Sequence, residues 1–157
     1  MTETLPPPLL EHVCDLAVTI APPVEIGQTA SGLRRVIPIT GGVVTGPRLR
    51  GKVLAAGADF QLILGGGTQA HLDARYVIEL DDGTRVFVQN SALRVASLEN
   101  SQRIMRGEPV NPAEVYFRCQ PQLEAAGEKW AWLAESQFVG SGRRAPDGVF
   151  LSFYRVC

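Results

Sequence analysis

The chain breaks constrain this sequence more than anything else in it. Pro22-Pro23, Gly41-Gly42, Gly46-Pro47, Gly65-Gly66-Gly67, Asp81-Asp82-Gly83, Ala126-Gly127 and Asp147-Gly148 recur so closely that the segments between them are shorter than an average helix. Those segments are rich in Val, Ile, Leu, Phe and Tyr, which suit a pleated, half-buried surface. The expected strands are Leu9–Ile20, Leu33–Thr40, Arg48–Ala55, Asp59–Leu64, His71–Leu80, Arg85–Ala92, Tyr116–Glu124, Trp130–Val139 and Gly148–Val156. Asp81-Asp82-Gly83-Thr84 joins two of them as a hairpin, because Asp and Gly accept the backbone angles a tight loop demands.

One stretch departs from this grammar. Leu98–Arg106 carries helix formers and ends before Gly107 and Pro109, so a single short helix is expected there, with a further turn at Pro112–Val115. Many closely spaced strands and one helix exclude a doubly wound α/β fold, which needs crossover helices between parallel strands. The expectation is an all-β chain, a closed or nearly closed antiparallel β-barrel (calycin-like) with one short helix, preferred over a sandwich because closure removes exposed edges. Residues 1–157 are read as one domain, with residues 1–9 a proline-rich, flexible entry. A chain of this length buries about 68–70% of its unfolded surface and needs no disulfide or structural metal.

Charge narrows the function. Charged residues make up 20% of the chain, with a net charge of -1, so no basic field attracts nucleic acid or anionic lipid. The start of the chain lacks the positive and apolar regions of a secretory signal, and no apolar run approaches the roughly 20 residues that span a bilayer. Neither nucleic acid nor membrane is an expected partner, and the cytoplasm is the expected location. Cys14, Cys119 and Cys157 are odd in number, with no Cys-x-x-Cys pair, and are read as free thiols. His12 and His71 lie in no ligand spacing, so no metal is expected.

Polar residues inside apolar β segments carry the functional signal. Along the strand from His71, side chains alternate: His71, Asp73, Arg75, Val77 and Glu79 on one face, Leu72, Ala74, Tyr76, Ile78 and Leu80 on the other. For this strand taken alone, an ordinary strand with its polar face in water is the favoured reading. Asp59 between Ala58 and Phe60, Asn90 after Val86-Phe87-Val88, and Arg118 after Tyr116-Phe117 interrupt apolar runs. Buried polar groups are costly unless they pair, coordinate or meet a ligand. A polar lumen is one reading, and an internal ion-pair network is the other. Trp130 and Trp132 are placed on one strand face, and Gly140-Ser141-Gly142-Arg143-Arg144 is read as a connection with solvated arginines or an anion-binding nest.

The runs Arg34-Arg35-Val36-Ile37-Pro38-Ile39-Thr40-Gly41-Gly42, Gly46-Pro47-Arg48-Leu49-Arg50-Gly51, Gly57-Ala58-Asp59-Phe60-Gln61, Leu72-Asp73-Ala74-Arg75-Tyr76, Tyr116-Phe117-Arg118 and Phe138-Val139-Gly140-Ser141-Gly142-Arg143-Arg144 resemble the family called domain of unknown function 3237. The resemblance runs from about Leu10 to Val156. It implies a small bacterial or fungal β-barrel without a cofactor and, where chemistry has been linked to such proteins, proton transfer or ring closure on small organic substrates. Phe60 departs from the tryptophan the family often carries.

Two functions lead, ahead of a third in which the chain is an assembly module whose pocket its own side chains fill. The first is a cofactor-independent acid/base enzyme of isomerase or cyclase type, acting on a small, aromatic or polyketide-like substrate. Asp59 or Asp73 is then the base and Arg75 or Arg118 the electrophilic partner, with Tyr76, Asn90, Tyr116, Phe60 and Trp132 binding the substrate. The second is a carrier holding a small-molecule ligand with the same arginines. Asp59, Asp73, Arg75, Asn90, Tyr116 and Arg118 are expected to converge on one cavity. Apolar residues on both faces of Arg85–Ala92 and Gly148–Val156 also suggest a homodimer or higher homo-oligomer.

Overall fold

A computed structural model describes residues 2–157, which form nine strands: β1 (Leu10–Ile20), β2 (Val24–Thr29), β3 (Gly32–Thr45), β4 (Gly51–Leu64), β5 (Gln69–Leu80), β6 (Arg85–Val95), β7 (Tyr116–Ala125), β8 (Gln137–Ala145) and β9 (Gly148–Val156). All pairings are antiparallel, in the order β1-β9-β8-β7-β6-β5-β4-β3-β2, and β1 also pairs with β3. That last pairing closes the sheet into an eight-stranded barrel, as the turn spacing led us to expect. One α-helix, α1 (Leu98–Met105), joins β6 to the segment before β7. Ser97 caps it by accepting from the Asn100 N–H at 3.1 Å, and Ile104 buries its apolar face.

Four features differ from the sequence reading. The first is β2, which runs along the β3 edge as a continuation of β1, with Ile20 opposite Ile39 and Val24 opposite Val36. Pro22-Pro23 separates the two because proline has no N–H to give a ladder. The second is β4, one strand where two were expected: Leu54-Ala55-Ala56 forms a bulge, where register with β5 slips between Val53 and Gly57. Third, Trp130–Val139 is strand only from Gln137, where β8 begins. Glu128–Leu133 forms a 3₁₀ helix, so the two tryptophans do not share a strand face, and Leu133 (1% exposed) plugs the barrel end. Fourth, Gly140-Ser141-Gly142-Arg143-Arg144 lies within β8, where Gly140 and Gly142 admit Cys119 and the Phe117 ring.

Inward side chains fill one end of the barrel. Val13, Ile78, Val86, Val88 and Phe153 are completely sealed, with Leu16, Leu49 and Val44 beside them. Truncating Phe153 to Ala would cost about 3–5 kcal/mol. The β5–β6 hairpin forms at Asp81–Thr84, where Gly83 takes a φ of 87° and Asp82 Oδ1 accepts from the Thr84 N–H at 2.9 Å. Outside, Phe87 and Phe150 are each 42% exposed, the feature behind the expectation of self-association. Among the described residues no helix is long and apolar enough to cross a membrane.

Candidate functional site

Inward alternation leaves the other end of the barrel less filled. Here lie the β4–β5, β6–β7 and β8–β9 connections, with α1 against the Gly65–Gly67 turn. Cross-strand pairing stacks inward residues in rows: Ile37, Asp59, Ala74 and Asn90 in one, Arg35, Gln61, Leu72 and Ala92 in the next, then Ala70, Arg94 and Phe117. The small side chains of Ala74 and Ala92 leave space between their larger neighbours. The resulting cavity is small and opens at its mouth to solvent, and it is lined by Asp59, Gln61, Tyr76, Asn90, Arg94 and Arg144 among apolar residues.

The polar groups of this cavity are incompletely satisfied. Gln61 donates from Nε2 to Asp59 Oδ2 at 2.8 Å, while Asp59 Oδ1, Tyr76 OH, Asn90 Oδ1 and Arg144 Nε are sealed from solvent without a hydrogen-bond partner, as is Nε of Arg35, which pairs across the sheet with Gln61 behind the lining. Buried atoms of this kind are rare and costly, and clusters of them mark places where a ligand or water completes the network. Among the described residues Asp59, Arg94 and Arg144 form no ion pair, and Arg35 reaches only the exposed Glu25, at 3.8 Å.

Electrostatics follow from that burial. Desolvation raises the Asp59 pKa above the ordinary carboxylate value, opposed chiefly by the Gln61 hydrogen bond and the Arg94 charge. Burial, then repulsion from Arg144, brings the Arg94 pKa down to about 10, with Asp59 opposing and Arg35 adding to the fall. Arg144 is lowered in the same direction, by burial first and Arg35 second. Burial also drives the Tyr76 phenol well above its usual value, so it stays protonated and can donate.

The structure distributes the sequence-derived candidates over several places. Asp59, Tyr76 and Asn90 line the cavity. Asp73 and Arg75 point outward, their side chains 41% and 55% exposed, and pair with each other at 3.3 Å. Tyr116 and Arg118 also face outward, because the inward positions of β7 are Phe117 and Cys119. Arg118 lies 5.6 Å over the Tyr116 ring and donates to the Phe117 carbonyl at 2.8 Å. Phe60 alternates with the inward Asp59 and is 46% exposed. Trp132 sits at the opposite end of the barrel, beneath the Arg48 guanidinium at 4.3 Å. The six residues expected to converge therefore do not, since strand alternation puts four of them outside.

Four inward residues were not assigned to the cavity by the sequence: Arg35, Gln61, Arg94 and Arg144, the last named there only within a segment read as a connection or an anion-binding nest. Three had a signal in strand alternation. Arg94 continues the alternation Val86, Val88, Asn90, Ala92; Arg35 precedes Ile37 and Ile39 by the same step; Gln61 follows Asp59. For Arg144 the signal lies in the alternative reading of its segment as an anion-binding nest, set behind the reading as a connection.

Fold and cavity define an antiparallel barrel with a charged, half-enclosed lumen. This chain belongs to the family described as Protein of unknown function (DUF3237), whose model matches residues 8–156. It is 42% identical over 156 residues to a UPF0311 protein of Bradyrhizobium diazoefficiens and 38% identical to one of Rhodopseudomonas palustris, covering 99% of both chains in each case. Among solved structures it resembles a conserved protein of unknown function from Rhodopseudomonas palustris (TM-score 0.90, 36% identity, 98% of this chain and 100% of the other). A β-barrel like protein from Acinetobacter baumannii gives 0.85 at 35% identity, with 99% and 100% covered. An enzyme from Penicillium herquei shares the fold at 0.73 and 20% identity, over the whole of both chains.

Proposed function

We propose that this protein is a cofactor-independent acid/base catalyst of isomerase or cyclase type, acting on a small organic molecule held in the barrel. The observation that carries this reading is Asp59 Oδ1, a carboxylate oxygen inside the cavity with no partner of its own. Burial raises the basicity of that carboxylate, which suits it to accept a proton from carbon or oxygen near neutral pH. In such a step a substrate C–H bond breaks, its electron pair stays on the substrate as an enolate, and the proton passes to Asp59. Arg94 and Arg144 stabilise the developing negative charge, while Tyr76 OH donates to an oxygen. Return of the proton to a different atom completes an isomerisation. Attack of the anion on a carbonyl carbon of the same molecule closes a ring, the C=O π pair moving onto oxygen, which takes the proton back from Asp59.

Phenylpyruvate, an enolisable aromatic keto acid, provides the test, because loss of its enol absorbance reports proton transfer directly. The wild-type protein is expected to speed keto–enol exchange over buffer, and Asp59→Asn to lower that rate by about 10²–10⁴-fold. A variant as fast as wild type would remove Asp59 as the base. The second reading, a carrier, is favoured by the excess of arginines over carboxylates in the cavity. It is the outcome if the wild type binds phenylpyruvate but exchanges it no faster than buffer.

A further inference from the structure

The cavity end of the barrel holds a charge imbalance that the fold leaves uncorrected. Arg35, Arg94 and Arg144 are gathered there with Asp59 as their acidic companion; Arg94 feels Arg144 and Arg35 as repulsive neighbours, and Arg144 feels Arg35. Arg35 is 5% exposed and Arg94 7%, so solvent does little to screen them. A structural ion-pair network would place carboxylates in contact with these guanidiniums. Here Arg94 and Arg144 have no ion-pair partner among the described residues, and Arg35 Nε and Arg144 Nε are sealed donors with no acceptor. Buried cations persist where something negative arrives to meet them.

The remaining wall is apolar. Ile39, Leu72, Val149 and Leu151 line the same cavity, so a fully hydrated inorganic ion would leave that surface unused. The Asn90 Oδ1 and Asp59 Oδ1 acceptors await a donor, which a hydroxyl on the ligand can supply.

We infer that the ligand of this cavity is a small organic acid, with its carboxylate at Arg94 and Arg144 and its apolar body against Ile39, Leu72 and Val149. This deepens the proposed function by naming the substrate class of the same site. It depends on the cavity binding a ligand and is independent of any proton transfer by Asp59. A guanidinium matches a carboxylate with two parallel N–H···O bonds, a geometry lysine cannot reproduce.

Calorimetric titration with benzoate, benzamide and acetate tests it on the wild-type protein. Benzoate and benzamide share a shape and differ in charge; benzoate and acetate share a charge and differ in apolar body. Benzoate is expected to bind at least tenfold more tightly than either. Equal binding of benzamide would overturn the anion assignment, and equal binding of acetate would overturn the apolar one. Arg94→Gln and Arg144→Gln should each weaken benzoate by about 10- to 100-fold and leave benzamide unchanged; Arg94→Lys should recover only part of the loss. Benzoate affinity unaltered in all three variants overturns the placement of the carboxylate. Should a variant fail to fold, the wild-type comparison still decides the ligand class. Asp59→Asn is expected to keep or tighten benzoate binding, so loss of phenylpyruvate exchange in that variant leaves this inference intact, while failure of benzoate binding in wild type does not.

Discussion

Gln61 donates to Asp59 Oδ2 at 2.8 Å and thereby fixes which carboxylate oxygen remains free. Both residues sit on β4, two positions apart, so they face inward together. The hydrogen bond holds one oxygen against the wall and leaves the other without a partner in the cavity. A Gln61→Leu variant should let the Asp59 carboxyl rotate and raise its pKa further, because the opposing hydrogen bond is lost. Carbon-13 titration of the Asp59 carboxyl reads this directly; an unchanged midpoint would show that the bond is not maintained in solution.

Stability should depend on pH through Asp59. Its folded pKa is raised above the unfolded value, so the folded state holds the proton more tightly. The associated stabilisation is fully present below the unfolded carboxylate pKa and is lost as pH rises through the folded one. Asp59→Asn cannot lose a proton, so its melting temperature should gain on wild type across that interval and keep the gain above it. Parallel melting curves from acid to neutral pH would contradict this linkage.

Arg94→Met should make the protein more stable and less able to bind an anion. The change removes a buried cation with no ion-pair partner and fills its place with an apolar chain of similar length. A gain of about 1 kcal/mol corresponds to roughly 2–4 °C in melting temperature for a chain of this size. A lowered melting temperature would mean that Arg94 has a stabilising partner in solution.

Gly57→Ala should destabilise the barrel beside the site. Gly57 adopts a φ of 150°, and an added Cβ would lie 2.2 Å from the Arg75 carbonyl oxygen. Backbone strain and displacement of β5 together should cost about 1–3 kcal/mol, read by denaturant unfolding. A wild-type unfolding midpoint would show that this position beside the bulge tolerates a side chain.

Asp73→Asn and Arg75→Gln should be nearly silent. The pair is largely solvent-exposed, with only Asp73 Oδ1 sealed, and exposed ion pairs contribute about 0–1 kcal/mol. Neither variant should alter benzoate affinity, since both side chains lie outside the barrel wall. A tenfold loss in either would return these residues to the site.

The chain by itself determined that the fold is antiparallel β, because Gly, Pro and Asp-Gly breaks impose short strands and β-branched residues fill them. It also determined that Asp73 and Tyr76 face opposite ways, and that Arg94 shares a face with Val86, Val88 and Asn90, since alternation is a property of any extended strand. Tertiary structure decided which face is the inside. The β1–β3 pairing closes the sheet, and only closure turns one side of every strand into a lumen and the other into a surface. It likewise decided that Arg144 comes near Asp59: β8 and β4 are far apart in sequence, and no local pattern records that a barrel wall brings their inward side chains to one cavity.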